Sequence, residues 1–295
     1  MKKFELTAEF VTNVFGKKLF RIKALVAFGN VEKGELGGFI EKEDNLSHDG
    51  DAWVFGNAWV SGNAWVFGNA RVYGDARVYG NAQVFGNAQV SGNARVSGDA
   101  RVSGNAWVFG NARVYGNAQV SGNARVSGDA WVFGNARVYG NAQVSGDARV
   151  YGDAWVFGNA RVYGNAQVYG DAWVYGNAQV YGNAQVSGDA RVYDDAQVSG
   201  DAQVYGNAQV SGDARVYDDA DYAVVKGFGR CFRTTTFFRC KDKILRVQCG
   251  CFYGDLAQFR EIVKKTHGDS KYAKEYLAIA DLMELHFSDE CGGEQ

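Results

Sequence analysis

The residues able to carry chemistry stand outside the long middle of this chain. Its three histidines are His48, His267 and His286, and its cysteines are Cys231, Cys240, Cys249, Cys251 and Cys291. Any histidine base, thiol nucleophile or nitrogen- and sulfur-ligated metal centre has to draw on these. His48 lies just before the middle section and has the chemistry of a general base, although a lone loop histidine is more often solvated surface. Cys249-Gly250-Cys251 would set two thiols on one strand face, with Cys240 across a hairpin. Joined by Cys231 or His267, they have the donor types of a zinc site. Their spacing matches no standard zinc pattern, so reduced, partly buried thiols are the favoured state.

What must position these groups is the middle itself, residues 51–218. It is one six-residue phrase, Asn/Asp-Ala-(Trp/Arg/Gln)-Val-(Phe/Tyr/Ser)-Gly, written 28 times without interruption. Ala holds the second place and Val the fourth throughout. Gly holds the sixth except at Asp194 and Asp218. A period of six fits no helical repeat, and a helix would spread Val and Ala around its circumference. As a strand, the phrase turns Ala and Val to one side and places three and five to the other. Gly followed by Asn or Asp makes the corner, where Asp and Asn are expected to serve equally. Three phrases per coil give about nine three-sided coils, with chain segments eighteen apart lying over one another about 4.8 Å away. The expected fold class is therefore an all-β solenoid.

Flanking segments break the pattern, which divides the chain into residues 1–50, 51–219 and 220–295. Residues 4–7 and 18–25 alternate like strands around a turn at Gly16-Lys17, and Gly37-Gly38-Phe39-Ile40 leads into the first coil. This N-terminal segment is expected to cover an otherwise open ladder edge. After Tyr222, residues 234–239 and 244–249 flank a turn at Lys241-Asp242-Lys243. Asp255 with Gln258 opens a helix that Gly268 closes, and Ser270 opens a second. Tyr272, Tyr276, Ile279, Ala280, Met283 and Phe287 would share one side of that second helix. A small hairpin-plus-two-helix domain results, suited to capping the last coil or to carrying the specific activity.

The repeated phrase resembles the hexapeptide repeat of left-handed parallel β-helix proteins, best known from bacterial acyltransferases. Residues 31–53, with Gly-Gly-Phe-Ile and Asn45-Leu46-Ser47, also resemble the entry segment of uncharacterised bacterial and phage-type members. The left hand comes from this resemblance, since crossovers between parallel strands are otherwise right-handed. In the usual family phrase Gly follows the aliphatic residue directly; here it comes one place later. The acyltransferases use a histidine between coils and protruding loops to hold the acyl donor. This chain has neither a histidine nor a loop in its repeats, so the resemblance carries fold without that activity.

All seven tryptophans (Trp53, Trp59, Trp65, Trp107, Trp131, Trp155, Trp173) occupy place three, with eleven Arg and ten Gln at the same place. They are expected to face outward, with Trp53, Trp59 and Trp65 ringing the first coil and Trp155 stacking on Trp173. Such walls are good strand surfaces in themselves. They also offer a contact site for a partner protein, a glycan or another copy of the chain. Oligomeric state is left open; β-helices of this kind often form homotrimers. The net charge is −2, balanced within each segment, which gives neither the basic stripe of a nucleic-acid binder nor an acidic mimic of one. Proline is absent, as a continuous ladder prefers. No apolar run is long enough for a membrane span, no signal peptide is legible, and the thiols suit the cytoplasm. No cofactor is expected. The sequence points to a non-enzymatic rod that binds a partner, and the resemblance implies a phage or prophage setting. A hexapeptide acyltransferase-like enzyme and a protein sequestering a small molecule or host factor stand as alternatives.

Overall fold

A computed structural model describes residues 1–14 and 16–288. Each of the 28 phrases forms one two-residue strand, built from places three and four. Every third strand pairs in parallel with the one eighteen residues on, as Gln89 with Trp107 and Val90 with Val108. The result is a β-solenoid of stacked coils with three walls, in sheets of 12, 10 and 9 strands. The first of these includes three strands of the N-terminal segment. Ala at place two and Val at place four are buried in every coil and form one continuous core. A buried Val contributes about 1.5–3 kcal/mol, so the bore is stabilised by repetition rather than by any one residue.

Corners follow from the glycine. Gly134, for example, has φ +68, whereas the Asn that follows keeps a negative φ, the sign pattern of a type II′ turn. Stacking then orders the backbone. Odd places donate toward the next coil: Trp131 N–H to Ala148 C=O at 2.9 Å, Phe133 to Val150 at 3.0 Å, Asn135 to Gly152 at 2.8 Å. The first coil is consequently left with carbonyls that have no coil before them, and the last coil with N–H groups that have no coil after them.

The N-terminal segment supplies the missing donors. Strands β1 (Phe4–Thr12) and β2 (Lys18–Ala24) form a hairpin, and β3 (Leu36–Ile40) pairs with β2 and runs parallel to the strand Trp59–Val60. Phe39 and Glu41 N–H reach Ala58 and Val60 C=O, and Ser47 N–H reaches Val66 C=O. Gly37 and Gly38 permit this approach, because a Cβ on either would sit within 2.6 Å of a first-coil carbonyl oxygen. Two side chains complete the set. Asn45 Nδ2 donates to Gly62 and Ala64 C=O at 3.1 and 2.8 Å, and Lys3 Nζ to Gly50 and Ala52 C=O at 3.1 and 2.9 Å.

Burial pushes the Lys3 ammonium from 10.5 down to about 8, against the attraction of Asp51 and Asp49. A folded value below the unfolded one means that the unfolded chain holds the proton more firmly, so stability rises with pH between the two. Melting temperatures of wild type and Lys3→Met should therefore diverge in favour of wild type from about pH 8 to about pH 10.5. A difference that stays constant across that window would contradict the assignment.

At the other end the chain leaves the solenoid at Asp218, whose carboxylate accepts from Ala220 N–H at 2.8 Å. The C-terminal unit is a four-stranded antiparallel sheet, Tyr222–Phe228, Arg233–Arg239, Leu245–Cys249 and Phe252–Asp255, not the single hairpin expected. Helices α1 (Leu256–His267) and α2 (Lys271–His286) pack on it. Asp255 and Gln258 form the expected capping box, Gly268 the stop, and Ser270 caps α2. Ala273 is buried on α2 where Tyr272 was expected; Tyr272 is exposed. The unit also closes the rod: Thr236 Oγ1 accepts from Gln209 N–H, Asp219 Oδ1 from Gln203 N–H, and Lys241 N–H donates to Asp213 C=O. Among the described residues, no helix is long and apolar enough to cross a membrane.

Candidate binding surface

The outer walls are organised in columns by the eighteen-residue register. On one wall Trp155 and Trp173 stack with ring centroids 5.1 Å apart and planes within 4°. Arg137 lies over Trp155 at 4.7 Å and Arg191 over Trp173 at 5.2 Å, giving a four-rung column Arg-Trp-Trp-Arg. Beside it Tyr139, Phe157, Tyr175 and Tyr193 stack at 4.9, 4.9 and 5.0 Å. A second wall carries Tyr115, Phe133, Tyr151 and Tyr169 at similar spacing, and Arg113 and Arg149 sandwich Trp131. Each stack adds about 0.5–1.5 kcal/mol and each cation–π contact about 0.5–1. Burial between neighbours pushes the phenols of Tyr139 and Tyr175 upward, so they stay neutral.

The corners carry a second set of columns, in which Asn and Asp are not equivalent. Asn has both a donor and an acceptor and passes the bond on; Asp only accepts. From Asn69 a side-chain ladder runs through Asn87, Asn105, Asn123, Asn141, Asn159 and Asn177, and stops at Asp195. Shorter ladders end in the same way at Asp99, Asp129, Asp153 and Asp201. The expected interchangeability of the two residues is corrected by this one-way chemistry.

One tryptophan does not face outward. Trp53 is fully buried under the N-terminal segment, edge-on to Phe4 and Phe28 at 6.2 and 5.3 Å. The expectation of an outward Trp53 fails because β3 and its loops cover the first rung of that wall. Trp65 and Trp107 are exposed, and Trp59, Trp131, Trp155 and Trp173 are half-buried between neighbours. Trp59 stacks on Tyr79 and lies under Arg77.

His48 is committed to the cap. Its Nδ1 accepts from Lys3 N–H at 3.1 Å, which places the ring proton on Nε2, and Nε2 donates to Glu43 Oε1 at 2.7 Å. The ring stacks on Phe4 at 4.4 Å. That hydrogen bond, with help from Lys2, holds the Glu43 carboxyl below the usual range. A base needs a free lone pair aimed at substrate, and here the lone pair is occupied.

The cysteines fall into two groups. Cys240 is buried against the end of the rod, near Tyr253, and burial pushes its thiol up. Cys249 faces the helices and accepts from Thr235 Oγ1 at 3.2 Å. Cys251 is not on a strand face with it, because Gly250-Cys251 is the two-residue loop joining paired Cys249 and Phe252, with Gly250 at φ +61. Among the described residues, no group of three or more His, Cys, Asp or Glu is placed to hold a metal ion. The four described thiols are free; Cys291 lies outside the described residues.

Stacked coils, a closed core and loop-free walls define a β-solenoid repeat protein. Its repeats match the family model described as the YdcK beta solenoid repeat, in eleven stretches between residues 64 and 220, such as 64–80, 118–134 and 184–200. No curated protein matches the chain.

Proposed function

We propose that this protein is a non-enzymatic structural and interaction protein, a stiff rod whose walls hold a partner protein or a second copy of the chain. The observation that carries this reading is the Arg137-Trp155-Trp173-Arg191 column with its flanking aromatic stack. These side chains are already ordered by one another, so docking on them costs little additional side-chain entropy. His48, tied into the cap, argues against an acyl-transfer base. We keep the cytoplasm as the compartment, on the free thiols.

The test compares the full-length protein with Trp155→Ala/Trp173→Ala. The variant should keep its far-ultraviolet spectrum, since both sites lie outside the core. It should lose about tenfold or more in self-association measured by sedimentation, or in affinity for a partner protein first captured on the immobilised wild-type rod. Unchanged binding and unchanged sedimentation would remove the wall from the function. Acyl-CoA turnover abolished by His48→Ala would replace the reading with an enzymatic one.

A further inference from the structure

The C-terminal unit contains a cleft of about 360 Å³ between the Gly250-Cys251 loop and helix α1, within the size range of small-molecule sites. Its chemistry is asymmetric. The floor is apolar, formed by Phe252, Phe259, Val263 and Tyr276, and continues the core beneath the helices. Tyr276 directs its hydroxyl to Phe228 C=O, and burial keeps the phenol protonated. Arg230, Arg233 and His267 also line it, and among the described residues no Asp or Glu does. Among the described residues neither arginine has an ion-pair partner. Glu275, the nearby acid on α2, is turned to Gly229 N–H at 2.9 Å.

We propose that this cleft binds a small amphipathic organic anion, with an apolar body on the Phe252–Phe259 floor and a carboxylate, sulfonate or phosphate head held by Arg230 and Arg233. Charge balance and shape act together here. Guanidinium groups make strong charge-assisted bonds to such oxyanions, and among the described residues these two have no carboxylate to bond. An apolar floor alone would accept a neutral molecule equally well; the cationic lining without a counter-charge makes the site select for an anion. The proposal is independent of the walls and concerns a different part of the molecule.

The thiols supply a local reporter, since Cys231 and Cys251 line the same cleft and are exposed, whereas Cys240 is buried at the rod end. The experiment uses the full-length protein and two probes that share a ring system, anilinonaphthalene sulfonate and the uncharged phenylnaphthylamine. Iodoacetamide alkylation of Cys251 is followed by peptide mass spectrometry with each probe. The sulfonate should slow alkylation at Cys251 in a saturable way, and the neutral amine should bind about tenfold more weakly or not at all. Arg230→Gln/Arg233→Gln should weaken the sulfonate's protection about tenfold or more. Ile262→Trp, which fills the cleft from α1, should abolish protection with the arginines intact. Equal protection by both probes, protection undiminished in the arginine variant or in Ile262→Trp, or no protection at all would each overturn the proposal. Dye bound on the aromatic walls leaves Cys251 alkylation unchanged and so is not mistaken for binding in the cleft.

Discussion

Gly134→Val should lower the stability of the full-length protein by about 3 kcal/mol or more, whereas Gly134→Asn should cost about 1–2. Gly134 has φ +68, and a Cβ there would lie 3.0 Å from Gly152 N and 3.1 Å from Gly152 C=O. Both contacts are backbone, held in place by the ladder, so neither can swing aside. A β-branched residue adds a large penalty of its own at positive φ, while Asn and Asp tolerate that region best. The protein contains its own control, since Asp194 takes the glycine position with φ 57. Denaturant melts of the two variants would check this. If Val and Asn cost the same, the corner is not restricted in the way its dihedral angle states.

The second large effect concerns the ends. Asn45→Leu should destabilise the protein by about 3 kcal/mol, because Gly62 and Ala64 C=O lose their donor and each buried, unpaired group costs about 1–3 kcal/mol. Lys42 N–H also loses its acceptor, Asn45 Oδ1, at 2.9 Å. Leucine keeps the branched heavy-atom outline of asparagine but removes its donor and acceptor and adds bulk at a buried site, so lost hydrogen bonds and overpacking act in the same direction. A loosened cap bares part of a parallel ladder edge, which is a template for another chain. The variant should therefore melt earlier and show concentration-dependent end-to-end association in sedimentation. An unchanged melt with an unchanged sedimentation profile would mean that the first coil needs no cap.

Much of the candidate surface was legible in the sequence. The eighteen-residue interval puts Trp155 over Trp173, and the phrase itself turns places three and five outward. Other features were not legible from place alone. Trp53 occupies the same place as Trp155 yet is buried, since its environment is set by a non-repeating segment. Cys240 and Cys249 look like partners across a hairpin, but one side of that sheet meets the rod and the other meets the helices. The Arg230–Arg233 cleft was not legible because its lining is drawn from two loops, three strand ends and two helices that no sequence period links. A signal for it was present: two arginines close together beside Cys231, with no acid between them.

Residues 51–218 by themselves determined the coil, because every phrase meets the same local demand: glycine for positive φ at the corner, Ala and Val inward, and a partner eighteen residues on. Equivalence of the repeats makes that outcome independent of distant chain. Tertiary structure alone decided how the ends are satisfied, since no phrase can supply donors to a coil that has no predecessor. It also decided what lies over Trp53, because that depends on which non-repeating segment is brought alongside.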